Sequence, residues 1–501
     1  MNACGHIVAS ARDNVATAVV DLAPGDSLDG GQNVTESIKA GHKVALIAIG
    51  VGKPVIKLGQ PIGLASQPIG AGMHVHTHNL EFAGKANRTE IGIDLRSSTP
   101  DDATFEGYVR TNGRIGTRNF IGVLTSVNCS ATVAKRIAAH FTQERLAFYP
   151  GVDGVVAFSH MSGCGMATSG RGIDNLRRTI TGYASHPNFA AVLIVGLGCE
   201  VNQIDPLLAS ADLTASDRLQ TLGIQDAGGT MAAIAAGIAI VEEMLPAASA
   251  CQRQLVSTKH LTIGLQCGAS DGYSALTANP ALGAAVDRLV AAGGRAILSE
   301  TPEIYGAENL LLRRAASAAV ADALIERLNW WENYAASDGA SLDNNPSPGN
   351  KAGGITTILE KSLGAVAKSG STPLNAVVDY ADQVTAPGLT FMDSPGYDPC
   401  SATGQIAGGA HLILFTTGRG SVFGSIPAPT LKLASNATLA QSMADDMDID
   451  CSGVLDGVPL NEMGARVFDV ILETASGRQT ASERLGFGEN EWVPWVPGAM
   501  F

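Results

Sequence analysis

Residues 154–200 decide the fold: GVVAFSHMSGC (154–164), a polar segment of helical length, then FAAVLIVGLGCE (189–200). Both apolar runs are short, rich in β-branched residues and closed by a cysteine next to glycine. Runs like these, bounded by turn residues and separated by a helix, read as parallel strands buried on both faces. NFIGVLTSVNC (119–129) and HLTIGLQC (260–267) repeat the pattern, so Cys129, Cys164, Cys199 and Cys267 each follow a predicted strand. The first three lie 35 residues apart, in line with the ~30 or more that a βαβ crossover needs. Ligands of open α/β sheets bind beyond the carboxyl ends of the strands, so the four thiols are expected at one crevice. A single such cysteine is most often an inert apolar filler. Four in one context point to a shared role.

Composition narrows the classes. The chain has 501 residues, enough for two to four domains, and its 58 glycines suit a loop-rich α/β protein. A net charge of -14 argues against nucleic acid, and any acidic ligand needs a local cluster of cations. The start, MNACGHIVAS, has no basic and apolar leader pattern, and the longest apolar run, MAAIAAGIAIV (231–241), is too short to span a bilayer. A cytoplasmic location with reduced thiols follows as the expectation. No Cys-x-x-Cys pair occurs, so a metal site has to be assembled from distant segments.

Residues 1–95 alternate short β runs with turns and read as a small all-β domain; 96–106 read as a polar linker. Within HVHTHN (74–79), His74, His76 and His78 recur at period two, which on a strand places them on one face. An exposed edge strand explains that pattern, and so does a set of metal ligands or proton carriers. His42, beside Lys43, adds an imidazole.

Residues 107–250 form a first α/β lobe, opened by Arg110, Arg114 and Arg118, which read as solvated or as recruiting a carboxylate. Ser130 is expected to cap a helix that starts next to Cys129. VGLGCE (195–200) lacks the third glycine of a dinucleotide fingerprint, which excludes NAD. The second lobe, 255–501, carries Asp271 four residues after Cys267, and Glu300 and Glu303 after another strand. NPSPGNKAGGI (345–355) presents Lys351 from a fixed loop without Walker spacing. Arg419 sits in GRGS (418–421) at a strand end, a plausible carboxylate clamp.

GHKVAL, HVHTHN, SVNC, SGCG, GLGCE, GLQCGASDG, TANP, NPSPGNKAGGITT and FTTGRGS together resemble the altronate and galactarate dehydratase family over nearly the whole chain. The resemblance implies an N-terminal SAF-like (β-clip) domain followed by Rossmann-like parallel α/β lobes, and an iron-dependent hydro-lyase acting on a sugar acid. HVHTHN is similar to altronate dehydratases, whereas YDPCSATGQIAGGAH (397–411) and DMDIDCSG (446–453) depart from their pattern, so the acid stays open. Sulfolactate sulfo-lyases belong to the same wider family, with the β domain on a separate chain. Iron has two expected seats: a 4Fe-4S cluster on three of Cys129, Cys164, Cys199 and Cys267, which is favoured, or one ferrous ion on HVHTHN histidines and Asp271. His42, His74 or His76 would then serve as acid or base, with Lys351 and Arg419 gripping the carboxylate. The partner expected is a small-molecule sugar acid, with no nucleic acid and no membrane; a homo-oligomer is compatible with the pattern. A sugar-acid binding protein without catalysis would use the same clamp but need no convergent thiols, and a redox iron-sulfur protein is disfavoured by the missing nicotinamide or flavin fingerprint.

Overall fold

The computed structural model describes residues 5–82, 84, 90–96, 99 and 101–498. The N-terminal domain is all β. One antiparallel sheet joins His6–Ile7, Val15–Ala18, Lys43–Ala45 and His74–Val75; a second joins Pro54–Lys57, Gln60–Ala65 and Leu80–Glu81. Its residues Ala45, Val55, Ile62 and Val75 are buried in the same apolar cluster as Leu282, Leu363 and Leu414 of the second lobe. The domain therefore shares an apolar core with that lobe.

The stretch read as a linker lies partly outside the described residues. Its last part, from Thr104, belongs to strand Thr104–Val109, which pairs with Arg253–Ser257 and Ile115–Gly116. This three-stranded sheet joins the segments that enter and leave the first lobe. That lobe has four parallel strands in the order Gly154–Phe158, Phe120–Thr125, Phe189–Gly196, Leu219–Gly223. Helices Ala131–Ala138 and Thr230–Ser249 bury Val133, Ile137, Val241 and Met244 against one face. By length and composition alone the second of these helices could cross a membrane, but it lays Ala233, Gly237 and Val241 into this core.

The second lobe has seven parallel strands in the order Leu374–Val378, Gly388–Met392, Arg295–Leu298, Thr262–Gly268, Leu412–Thr417, Thr430–Ala434, Ile449–Asp450. The chain order reverses between Thr262–Gly268 and Leu412–Thr417, and in the first lobe between Phe120–Thr125 and Phe189–Gly196. Such switch points leave a crevice at the carboxyl edge. Helix Arg171–Ala184 packs against Asp398–Ala407 across the lobe boundary, and a Cβ on Gly182 would stand 2.4 Å from the Ala407 carbonyl oxygen. Only a residue without a side chain lets these helices approach so closely.

The two carboxyl edges face the same side. Arg171, just beyond the Cys164 loop, reaches Asp393, the residue following strand Gly388–Met392, at 3.5 Å. Its guanidinium also lies 4.0 Å from the ring centre of Trp330.

Candidate active site

On the first lobe, Cys129, Cys164 and Cys199 lie on three loops at one carboxyl edge, and all three are exposed. The loops are laced by side chains of their neighbours. Asn128 donates its amide nitrogen to the Ser162 carbonyl (2.9 Å) and its side chain to the His160 carbonyl (2.8 Å). Asn202 does the same to Gly163 (3.0 Å) and Ser126 (3.0 Å). Glu200 accepts from Ser126 Oγ (2.6 Å) and from the amides of Leu197 and Gly198. Burial works against its charge, but these hydrogen bonds hold its carboxyl below the usual carboxylate range. Gly163, at φ 100, passes so close to Ser126 that a Cβ would stand 2.5 Å from the Ser126 carbonyl oxygen. Ser130 does not cap the following helix: Asn128–Ser130 forms a 3-10 turn, and Ser130 Oγ donates to the carbonyls of Val127 and Val195.

Cys267 is elsewhere. It is the penultimate residue of a central strand of the second lobe and is 2 % exposed. The expectation of four thiols on one rim is thus corrected to three on the first lobe and one inside the second. The place of Cys267 in the second lobe is as expected; burial is what keeps its thiol off the rim.

The imidazoles assemble, although only His74 of the three in HVHTHN is on a strand. The strand stops at Val75, and Asn79 folds a turn by accepting from the His76 amide (3.0 Å) and donating to the His74 carbonyl (2.9 Å). His42 Nδ1 stands 3.0 Å from His74 Nε2, and the rings of His42 and His76 stack at 4.9 Å between centres. The cluster is seated on the loop expected to present Lys351: His76 Nε2 meets the Lys351 carbonyl (2.9 Å) and His42 Nε2 the Ala352 carbonyl (3.3 Å). Those acceptors require Nε2–H tautomers, so the basic Nδ1 of His42 accepts from His74 Nε2 and that of His76 from the Thr77 hydroxyl (3.1 Å). Burial, then the neighbouring imidazoles and Lys43, pushes His74 down to about 3. Burial likewise sets His76 at about 4, and His42 is lowered for the same first reason. All three are neutral near pH 7.

A buried ionic knot holds this seat. Lys43 donates to Glu360 Oε2 (2.8 Å) and to the Gly354 carbonyl (2.6 Å), and Lys57 to Glu360 Oε1 (2.9 Å). Glu360 also accepts from the amide and hydroxyl of Thr356. Its carboxyl lies far below the usual range because two ammonium groups outweigh its burial.

Asp271 lies at the switch point, but its carboxylate is occupied. Oδ1 accepts from the amides of Tyr273 and Ser274 and the hydroxyls of Ser274 and Ser435, and Oδ2 from Asn436. It organises the loop that the histidine domain rests on, and as an iron ligand it fits poorly. Arg419 is exposed beside it, its amide held by the Ala269 carbonyl; the Lys351 side chain is half-buried. Arg110 and Arg118 are neither solvated nor at the crevice: both are buried, Arg118 paired with Glu483 and Arg110 with Asn119 and the Pro187 carbonyl. Arg114 reaches the Ser185 carbonyl. A cavity of about 670 Å³ opens beside Arg118, Gly154 and Arg253, at the amino end of the first sheet and away from thiols and imidazoles. Among the described residues, one set of three metal-ligating side chains brings its donor atoms within 4.8 Å of one another: Cys267, Glu300 and Glu303.

Comparison with known proteins agrees with this architecture. The chain matches sequence models described as the altronate/galactarate dehydratase SAF domain over residues 5–83, the second domain of D-galactarate dehydratase/altronate hydrolase over 107–249, and the C-terminal D-galactarate/altronate dehydratase domain over 258–500. It is 36% identical to an altronate dehydratase of Escherichia coli, covering 97% of this chain and 98% of the relative. It is 34% identical to the galactarate dehydratase (L-threo-forming) of the same organism, covering 95% and 93%. A (2R)-sulfolactate sulfo-lyase subunit beta of Chromohalobacter salexigens is 32% identical over 77% of this chain and 96% of its own length. With its SAF domain, two parallel lobes and end-to-end similarity, the chain belongs to the altronate and galactarate dehydratase family.

Proposed function

We propose that the chain is a hydro-lyase that removes water from an altronate-like or galactarate-like sugar acid to give a 2-keto-3-deoxy acid, with iron at the thiols of the first lobe. The observation that carries this is the seating of three neutral imidazoles on the carboxyl edge where the central strand order reverses. Dehydration takes the proton next to the carboxylate and expels the neighbouring hydroxyl as water. His42 or His76 takes the carbon-bound proton, and the imidazolium so formed passes it through the stacked cluster to the departing hydroxyl, which leaves as water. Arg419 and Lys351 flank the same edge and grip the carboxylate. In a chain of net charge -14 they supply the local cations that an acid needs.

Acid and base together supply a factor of about 10² to 10⁴, roughly 3 to 5 kcal/mol. Enzymes commonly need about 8 to 23 kcal/mol, so a Lewis acid is called for. Cys129, Cys164 and Cys199 fit a 4Fe-4S cluster: they are soft donors, exposed, and borne on loops fixed by hydrogen bonds. When bound, such a cluster supplies an iron with an open position that polarises a hydroxyl and a carboxylate. The alternative seat of histidines with Asp271 is disfavoured because both Asp271 oxygens already accept hydrogen bonds, four of them at Oδ1.

The test is an anaerobic screen of aldonic and aldaric acids, following 2-keto-acid formation, with iron and acid-labile sulfide measured on the same sample. Turnover with iron and sulfide is expected. Iron without sulfide removes the cluster, and absence of product from every acid removes the hydro-lyase. Sulfite released from sulfolactate would transfer the reading to carbon–sulfur cleavage.

A further inference from the structure

Cys267, Glu300 and Glu303 stand apart from everything used above. Cys267 ends one central strand of the second lobe, and the two glutamates follow its neighbour, Arg295–Leu298. Their donor atoms lie within 4.8 Å of one another, and none of the three residues is more than 4 % exposed. Neither oxygen of Glu300 accepts a hydrogen bond. The nearest cation, Lys368, stands 3.9 Å away, beyond hydrogen-bond reach, and its ammonium faces the Cys267 thiol instead. A buried carboxylate left in this state is costly unless something else occupies the gap. Glu303 spends one oxygen on Lys361 and Asn345 and turns the other toward Cys267 Sγ, 3.8 Å away. Glu300 is aimed into the site by a left-handed backbone, φ 72, which a side-chain-bearing residue adopts at a cost.

We infer that Cys267, Glu300 and Glu303 bind one divalent transition-metal ion in an enclosed site, separate from the thiols of the first lobe. One sulfur and two carboxylate donors suit zinc, cobalt or ferrous iron, whereas magnesium and calcium take all-oxygen sets. Charge closes around such an ion. A bound dication would displace the thiol and carboxyl protons; the thiolate, Glu300, Glu303 and Asp398, whose carboxylate lies against Gly268, then give four negative charges, and Lys361, Lys368 and the ion four positive. The ion ties the ends of two central strands together and, being enclosed, does not meet the substrate. This site does not rest on the proposed reaction: either can fail alone.

The experiment is a cobalt(II) titration, without oxygen, of the full chain carrying Cys129→Ser, Cys164→Ser and Cys199→Ser, which removes the three thiols of the first-lobe loops. One equivalent should bind with a sulfur-to-cobalt charge-transfer band in the near ultraviolet. Adding Cys267→Ser should abolish the band, and adding the isosteric Glu300→Gln should weaken binding at least ten-fold with circular dichroism unchanged. A missing band, or one that survives Cys267→Ser, overturns the site. In the unsubstituted chain, one metal per chain should outlast dialysis against a chelator that empties the exposed thiols, and Glu300→Gln should lose it. Equal retention in the two also overturns the site.

Discussion

His42 illustrates how a side chain becomes chemistry through its neighbours. Its Nε2 is committed to the Ala352 carbonyl at 3.3 Å, so the proton is fixed there and Nδ1 is left basic. Asp271 shows the converse: placed at the switch point, it has committed Oδ1 to four backbone and hydroxyl donors and Oδ2 to the Asn436 amide, so it serves the loop before any ligand. His42→Asn keeps size and polarity but not basicity. It should lower kcat by about 10² to 10⁴ while leaving KM within a few-fold, because the carboxylate grip is borne by other residues. With the imidazoles held neutral by burial, the acid limb of the wild-type kcat profile should fall below the ordinary imidazole value of about 6.5. A kcat unchanged by His42→Asn would take the reaction away from this cluster.

At the scale of elements, two glycine contacts carry the histidines to their seat. A Cβ on Gly272 would stand 1.9 Å from the Gly41 carbonyl oxygen, and one on Gly354 2.2 Å from the same atom. Gly272→Ala should wedge the Gly41 turn off the Asp271 loop and cost kcat on the scale of His42→Asn, with iron content unchanged. Iron lost along with activity would mean that the thiol loops had been disturbed instead. Strand-end cysteines were legible in the sequence because a parallel strand, its turn and its helix each leave a local pattern. What was not legible is pairing over distance. Cys267 carries the same local signature as the other three yet is buried where they are exposed. Lys43 and Lys57 meet Glu360 across some three hundred residues with no motif to announce it. The turn at Asn79 replaced an expected strand, and the histidines still converge because stacking, not alternation, gathers them.

At the scale of the molecule, the lobes are pinned by buried imidazoles as well as by apolar packing. His186 Nε2 meets the Ala410 carbonyl at 3.1 Å, and His411 Nε2 the Ile115 carbonyl at 2.8 Å, with 5.8 Å between ring centres. Burial, aided by nearby arginines, sets His411 at about 4, and burial with His411 takes His186 well below its ordinary value. Folded values depressed below about 6.5 mean that the unfolded chain binds more protons as pH falls through that window. The stability these rings allow is therefore whole above about pH 6.5 and erodes toward pH 4, at about 1.4 kcal/mol per pH unit for each ring. Glu360, depressed by its two lysines, keeps its contribution until pH falls below about 4.3, so its loss comes later. Denaturant unfolding between pH 7.5 and 3.5 should show both steps. His411→Gln, which retains a donor toward Ile115, should make the first shallower by about 1.4 kcal/mol per pH unit and leave the second. An unchanged first step in that variant would mean that some other group governs the acid sensitivity of the lobe junction.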